Sequence, residues 1–74
     1  MTRLPTLNPM QFVRALKRAG FVEHAQRGSH LTLKHPGDGR RTVVPMHGGD
    51  LKRSLMKLIL KQVGLDEAAF RELL

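Results

Sequence analysis

The sequence contains no cysteine, which excludes disulfides and thiolate metal sites. It has no tryptophan or tyrosine and 3 phenylalanines, so it lacks the aromatic platforms on which single-strand binders stack bases. Acidic residues are scarce, with 6 Asp+Glu against 13 Lys+Arg and a formal net charge of +7. No apolar run approaches the ~20 residues a membrane span needs. The stretch MTRLPTLNPM lacks the apolar core of a signal peptide, so a cytoplasmic location without a membrane partner is expected. At 74 residues the chain is expected to form a single domain over 1–74 with a modest core. Such a body has little room for a deep cavity. It favours a surface site that reads a large, charged ligand.

The basic residues are unevenly spread. Residues 1–64 hold 12 basic and 3 acidic side chains, a net of +9, and the last ten residues carry Asp66, Glu67 and Glu72. A cationic surplus of this size draws polyanions, because each Lys or Arg near a phosphate releases condensed counterions. Nucleic acid is the leading partner class, ahead of an anionic membrane or an acidic protein.

Hydrophobic periodicity orders the chain as helix, three strands, helix, short helix. Asn8 and Gln11 stand where a capping box would, with Pro9 at the first helical position. Phe12, Val13, Leu16 and Ala19 then recur at helical spacing up to Gly20, which predicts a helix over 9–19. Residues 21–25 read as a short strand and Arg27-Gly28-Ser29 as a turn. Residues 30–35 alternate, with Leu31 and Leu33 on one face and His30, Thr32 and Lys34 on the other. Pro36-Gly37-Asp38-Gly39 is a turn before a third strand over 41–46. Whether Val43 or Val44 points inward is left open by the pattern.

After the loop His47-Gly48-Gly49, Asp50 or Ser54 caps a second helix, with Ser54 preferred. Its apolar stripe is Leu55, Met56, Ile59, Leu60 and Val63, and Gly64 stops it. Asp66 caps a last helix over 67–73, whose Ala68, Phe70 and Leu73 are expected to fold onto the core. The short turns imply an antiparallel meander. A one-sided sheet must bury its apolar face under helices, so the expected fold class is α+β, with a three-stranded antiparallel sheet covered on one face. With Leu31 and Leu33 inward, the pleat turns His30, Thr32 and Lys34 outward.

Of the four histidines, His24, His30, His35 and His47, His30 is the best candidate for chemistry. RNA supplies its own nucleophile, the 2′-hydroxyl. An enzyme has to remove that proton, steady the charge on phosphorus and protonate the leaving 5′-oxygen, which imidazole and a cationic clamp do without metal. His30 follows Gly28 and Ser29, where adjacent backbone N–H groups can bind phosphate. Arg27 and Lys34 flank it, and Arg41 is a further phosphate contact. His47 is a partner acid, a phosphate contact or idle. His35 reads as structural, and His24 carries no role. No metal is expected. The histidine spacings of six, five and twelve residues match no ligand pair, and no carboxylate stands beside them. Arg40, Arg41, Lys52, Arg53, Lys57 and Lys61 are candidates for a basic rim.

The segments Leu4-Pro5, Leu16-Lys17-Arg18-Ala19-Gly20-Phe21, Arg27-Gly28-Ser29-His30, Val44-Pro45-Met46-His47, Ser54-Leu55 and Ile59-Leu60-Lys61-Gln62-Val63-Gly64-Leu65, in this order and spacing, resemble the HicA family of toxin–antitoxin ribonucleases. The resemblance implies a double-stranded-RNA-binding-domain-like fold, α-β-β-β-α with a short C-terminal helix. It implies cleavage of messenger RNA by one catalytic histidine, here His30. From their places in the sequence around it, Arg27, Gly28, Ser29, Lys34, Arg41 and His47 are the expected RNA contacts, and no cofactor is expected. The resemblance also implies a cognate HicB-type antitoxin that covers the site. The alternative is a non-catalytic RNA-binding module of the same fold.

Overall fold

The computed structural model describes residues 4–74; residues 1–3, which the expected domain over 1–74 includes, lie outside the described part. The elements are α1 (Pro9–Arg18), β1 (Val22–Arg27), β2 (His30–Lys34), β3 (Arg41–Pro45), α2 (Arg53–Val63) and α3 (Glu67–Arg71). This is the expected α+β order.

The start of α1 is a reciprocal capping box. The Gln11 backbone N–H donates to Asn8 Oδ1 at 2.9 Å, and the Asn8 N–H donates to Gln11 Oε1 at 3.0 Å, satisfying two N–H groups that the helix itself cannot. The helix closes on Gly20, whose φ of +100° needs a residue without a Cβ. Phe12, Val13, Ala15 and Leu16 form its buried stripe.

The strands form one antiparallel sheet in the order β1-β2-β3. The first strand begins and ends later than the sequence pattern predicts. Phe21 leaves the ladder and is buried in the core, while Arg27 stays in the strand as the partner of His30. The hairpin loop is therefore only Gly28-Ser29. A two-residue loop requires positive φ within it, which Gly28 supplies at +57°. The ladder slips between Glu23 and Ala25, leaving His24 as a bulge on an edge strand.

The β2–β3 register decides between the valines: Val44 is buried opposite Leu31, and Val43 is exposed opposite Thr32. Thr42 also points inward, only 4 % exposed, and donates its hydroxyl to Gln62 Oε1 at 2.7 Å, which offsets the cost of burying it. Strand β3 stops at Pro45, although the Met46 N–H still donates to the Ser29 carbonyl. At the other end the His35 N–H donates to the Arg40 carbonyl at 2.7 Å. By the antiparallel alternation, the backbone groups of Arg41, Val43 and Pro45 face the free edge, where the missing N–H of proline costs no ladder bond.

The second helix corrects the sequence reading. Neither Asp50 nor Ser54 caps it. It starts at Arg53 behind Lys52, which makes no side-chain capping bond. Long-range anchors set this start instead. Leu51 is buried and its N–H donates to the Leu7 carbonyl at 2.8 Å, and Arg53 Nε donates to the Leu4 carbonyl at 2.8 Å. Gly64 ends the helix in the left-handed conformation, φ +73°. Asp66 then caps α3 by accepting the Ala69 N–H at 2.7 Å. Phe70 packs against Phe12 with ring centroids 5.1 Å apart, and Leu73 packs at the core margin. Ala68, expected to fold inward, is exposed; Phe70 is the one buried residue of this five-residue helix.

The core gathers the inner faces of β2 and β3 with α1, α2 and Phe70. All six residues of β1 are exposed. The helices thus cover two strands and leave the third overhanging.

Candidate active site

The outer face of the sheet is uncovered, and the register arranges it in three rows. Arg27, His30 and Pro45 form the row at the hairpin end. Ala25, Thr32 and Val43 form the middle row, and Val22, Lys34 and Arg41 the far row. The alternation that buries Leu31 and Leu33 turns His30 to solvent. Directly opposed residues have β-carbons roughly 5 Å apart, so the Arg27 side chain leaves the sheet next to that of His30 on one side. The proline ring of Pro45, which has no side-chain polar group, lies on the other. Among the described residues no hydrogen-bond partner engages the His30 ring, and both its nitrogens are open to a ligand.

The other candidate residues divide between the two ends of the face. Gly28 and Ser29 form the loop beside His30, with no neighbour within 4 Å of the space above Gly28. Lys34 and Arg41 face each other in the far row, four residues along β2 from His30, or about 13 Å at the ordinary strand rise. His47 comes to the hairpin end, because the bond from the Met46 N–H to the Ser29 carbonyl ties its loop there. His47 Nδ1 lies 2.8 Å from the Gly48 carbonyl oxygen. A carbonyl only accepts, so the ring carries its proton on Nδ1 and leaves Nε2 free. Sequence reasoning missed the place of Pro45 beside His30. The signal for it is register: counting back along both strands from the His35–Arg40 pair that closes the β2–β3 turn, Pro45 falls opposite His30.

Several charged residues belong to the fold instead. His35 stands edge-on to Phe21, with centroids 5.2 Å apart, and its Nδ1 accepts the Gly37 N–H at 3.1 Å, in keeping with the structural role read from the sequence. Arg40 joins the β2–β3 turn to the end of α2. Its Nε donates to Asp38 Oδ2 at 2.7 Å, its Nη1 donates to the Val63 carbonyl, and its guanidinium sits 5.3 Å over the Phe21 ring. The Arg40 side-chain hydrogen bond, helped by the Arg40 backbone N–H, holds the Asp38 carboxyl below the usual aspartate range. Arg53 is held by the Leu4 carbonyl and Thr6 Oγ1. Arg40 and Arg53 therefore do not serve as free members of a basic rim. Among the described residues, no three His, Asp or Glu side chains converge as metal ligands, and no helix is long and apolar enough to cross a membrane.

Comparison with family models matches residues 10–65 to the HicA toxin of bacterial toxin–antitoxin systems. Among curated proteins none matches the chain. The matched segment is well over half of the chain and takes in the Arg27–His30 hairpin, the whole sheet, α2 and all of α1 but its first residue. The chain belongs to the family of HicA toxins.

Proposed function

We propose that this toxin is a metal-independent endoribonuclease that cleaves messenger RNA, with His30 as its catalytic residue. The supporting observation is the exposed His30 imidazole, unpartnered among the described residues and directly opposite Arg27 on the open face of a strongly basic HicA toxin. In this reading His30 takes the proton from a ribose 2′-hydroxyl. The 2′-oxygen then bonds to phosphorus as the bond to the 5′-oxygen breaks, and the His30 imidazolium gives its proton to the leaving 5′-oxygen, which returns the ring to its neutral form. Arg27 faces the phosphate where charge develops, the position at which a fixed cation lowers the barrier most. The Gly28-Ser29 loop and His47 contact the phosphate chain at the hairpin end, and Lys34 and Arg41 hold it farther along the face. The functional unit is one domain over 1–74 that works in the cytoplasm and needs no cofactor. A HicB-type antitoxin binds it and covers the site.

The test is cleavage of messenger RNA in EDTA by wild type and by His30→Ala. Wild type cuts. The variant leaves RNA intact while keeping its circular dichroism spectrum and its RNA affinity, because the side chain lies outside the core. Unchanged cutting by His30→Ala overturns the assignment. Retarded but uncut RNA with both proteins indicates the non-catalytic binding module.

A further inference from the structure

The overhang of β1 leaves a groove of about 380 Å³ between α1 and the inner face of that strand. Its apolar lining is Met10, Val13, Leu31 and Met46. Met10, at the lip of the groove, is 65 % exposed. A second hollow of about 300 Å³ shares Met10 and Met46 and carries the groove on to His47. The one carboxylate in the lining, Glu23, is already paired with Lys17. Arg14 lines the same wall and, among the described residues, has no hydrogen-bond or ion-pair partner. The groove is therefore an apolar slot whose rim carries one unpaired cation, Arg14.

We infer that this groove is the anchor site for the antitoxin, and that it receives an amphipathic acidic helix of that protein. Membership of a toxin–antitoxin family supplies the partner. The inference rests on that membership and not on the catalytic reading of His30. The charge of the rim selects acidic flanks, and the net charge of +7 opposes a second copy of the toxin. Flexible thioether side chains on floor and wall suit a packed apolar helix face. RNA is the poorer fit, because the lining holds no aromatic ring on which a base would stack. The bulge at His24 disfavours simple strand addition to β1, so side chains and not edge hydrogen bonds carry the contact. The wall facing the slot along α1 is about 15 Å long for ten residues, enough for two to three turns of a partner helix. The bond from the Met46 N–H to the Ser29 carbonyl joins the floor of the groove to the hairpin. An antitoxin anchored there is held one sheet thickness from His30.

The test is calorimetric binding of a purified HicB-type antitoxin that neutralises this toxin in cells to full-length toxin carrying His30→Ala, alone and with Met10→Glu or Arg14→Glu. Both added changes lie on exposed positions of α1, and circular dichroism checks that the helix persists. Each is expected to weaken binding at least about ten-fold, the loss typical of an interface anchor. Leu58→Glu, in the separate groove between α2 and β3, leaves affinity unchanged. In cells the antitoxin then rescues growth from wild-type toxin but not from Met10→Glu toxin. Unchanged affinity of both α1 variants overturns the inference. So does loss of RNA cleavage with antitoxin affinity kept, which makes the groove a substrate path. A change in sedimentation of the toxin alone, which makes the groove a self-association surface, also overturns it. Calorimetry on the His30→Ala background gives its answer whether or not His30 cuts RNA.

Discussion

Arg27 and His30 stand directly opposite one another across the first hairpin, on the face of the sheet that no helix covers. Only a two-residue loop produces this pairing. A longer turn at Gly28-Ser29 would carry Arg27 out of the ladder and leave the imidazole without an adjoining cation.

The two ends of the face separate kinetically. In the proposed reaction Arg27 is the cation at the scissile phosphate, so Arg27→Ala is expected to lower kcat about a hundred-fold with little change in KM. Lys34→Ala and Arg41→Ala remove contacts about 13 Å along the strand. Each is expected to raise KM with kcat retained, and to make RNA binding less salt-dependent by roughly one counterion. Steady-state kinetics at several salt concentrations measure both. Equal loss of kcat in all three variants would contradict the division.

Gly28→Val tests the loop itself. Space above Gly28 is open, but its φ of +57° is one that branched side chains resist. The substitution is expected to destabilise the fold by about 1–2 kcal/mol and to lower activity more than stability, since the hairpin sets the Arg27–His30 pairing. Gly28→Asn, which tolerates the left-handed region, is expected to recover most of both. Urea unfolding alongside cleavage assays separates the two effects.

Phe70→Ala tests whether the last helix belongs to the core. The ring is fully buried against Phe12, and deleting a buried phenyl group costs about 3–5 kcal/mol. In a domain whose total stability is of the order of 5–10 kcal/mol, the variant is expected to lose a large share of it and to melt far below wild type in a thermal scan.

The Asp38–Arg40 pair gives a signed pH effect. The Asp38 carboxyl titrates below its unfolded value of about 3.9. The native state therefore favours the charged form, and the resulting stabilisation is complete above about pH 4 and is lost as pH falls through the depressed native value. Wild type is expected to lose thermal stability more steeply than Asp38→Asn below pH 4, and the difference between them is expected to be constant from pH 5 to 8. The group is solvent-exposed, so the effect is small. Melting curves of the two proteins over that range measure it.

How much of this was legible in sequence follows from which interactions are local. Leu31 and Leu33 alternate within one strand, so the outward direction of His30 could be read directly. The Asn8–Gln11 box and the Gly64 stop are likewise formed within one turn of chain. The start of α2 was not legible: Ser54 has the better capping chemistry, but Leu51 and Arg53 are held by Leu7 and Leu4, some fifty residues away in the chain. The two valines could not be ranked, because both are branched and apolar and only pairing across to β2 tells them apart. The groove beside α1 left no trace either, since it arises from where the helices end over the sheet and not from any residue pattern.

Both flanks of the sheet are blunted, one by the extra residue at His24 and the other by the imino acid Pro45. Neither offers an uninterrupted row of donors and acceptors to a neighbouring copy. Edge-to-edge pairing of copies through either flank is therefore disfavoured.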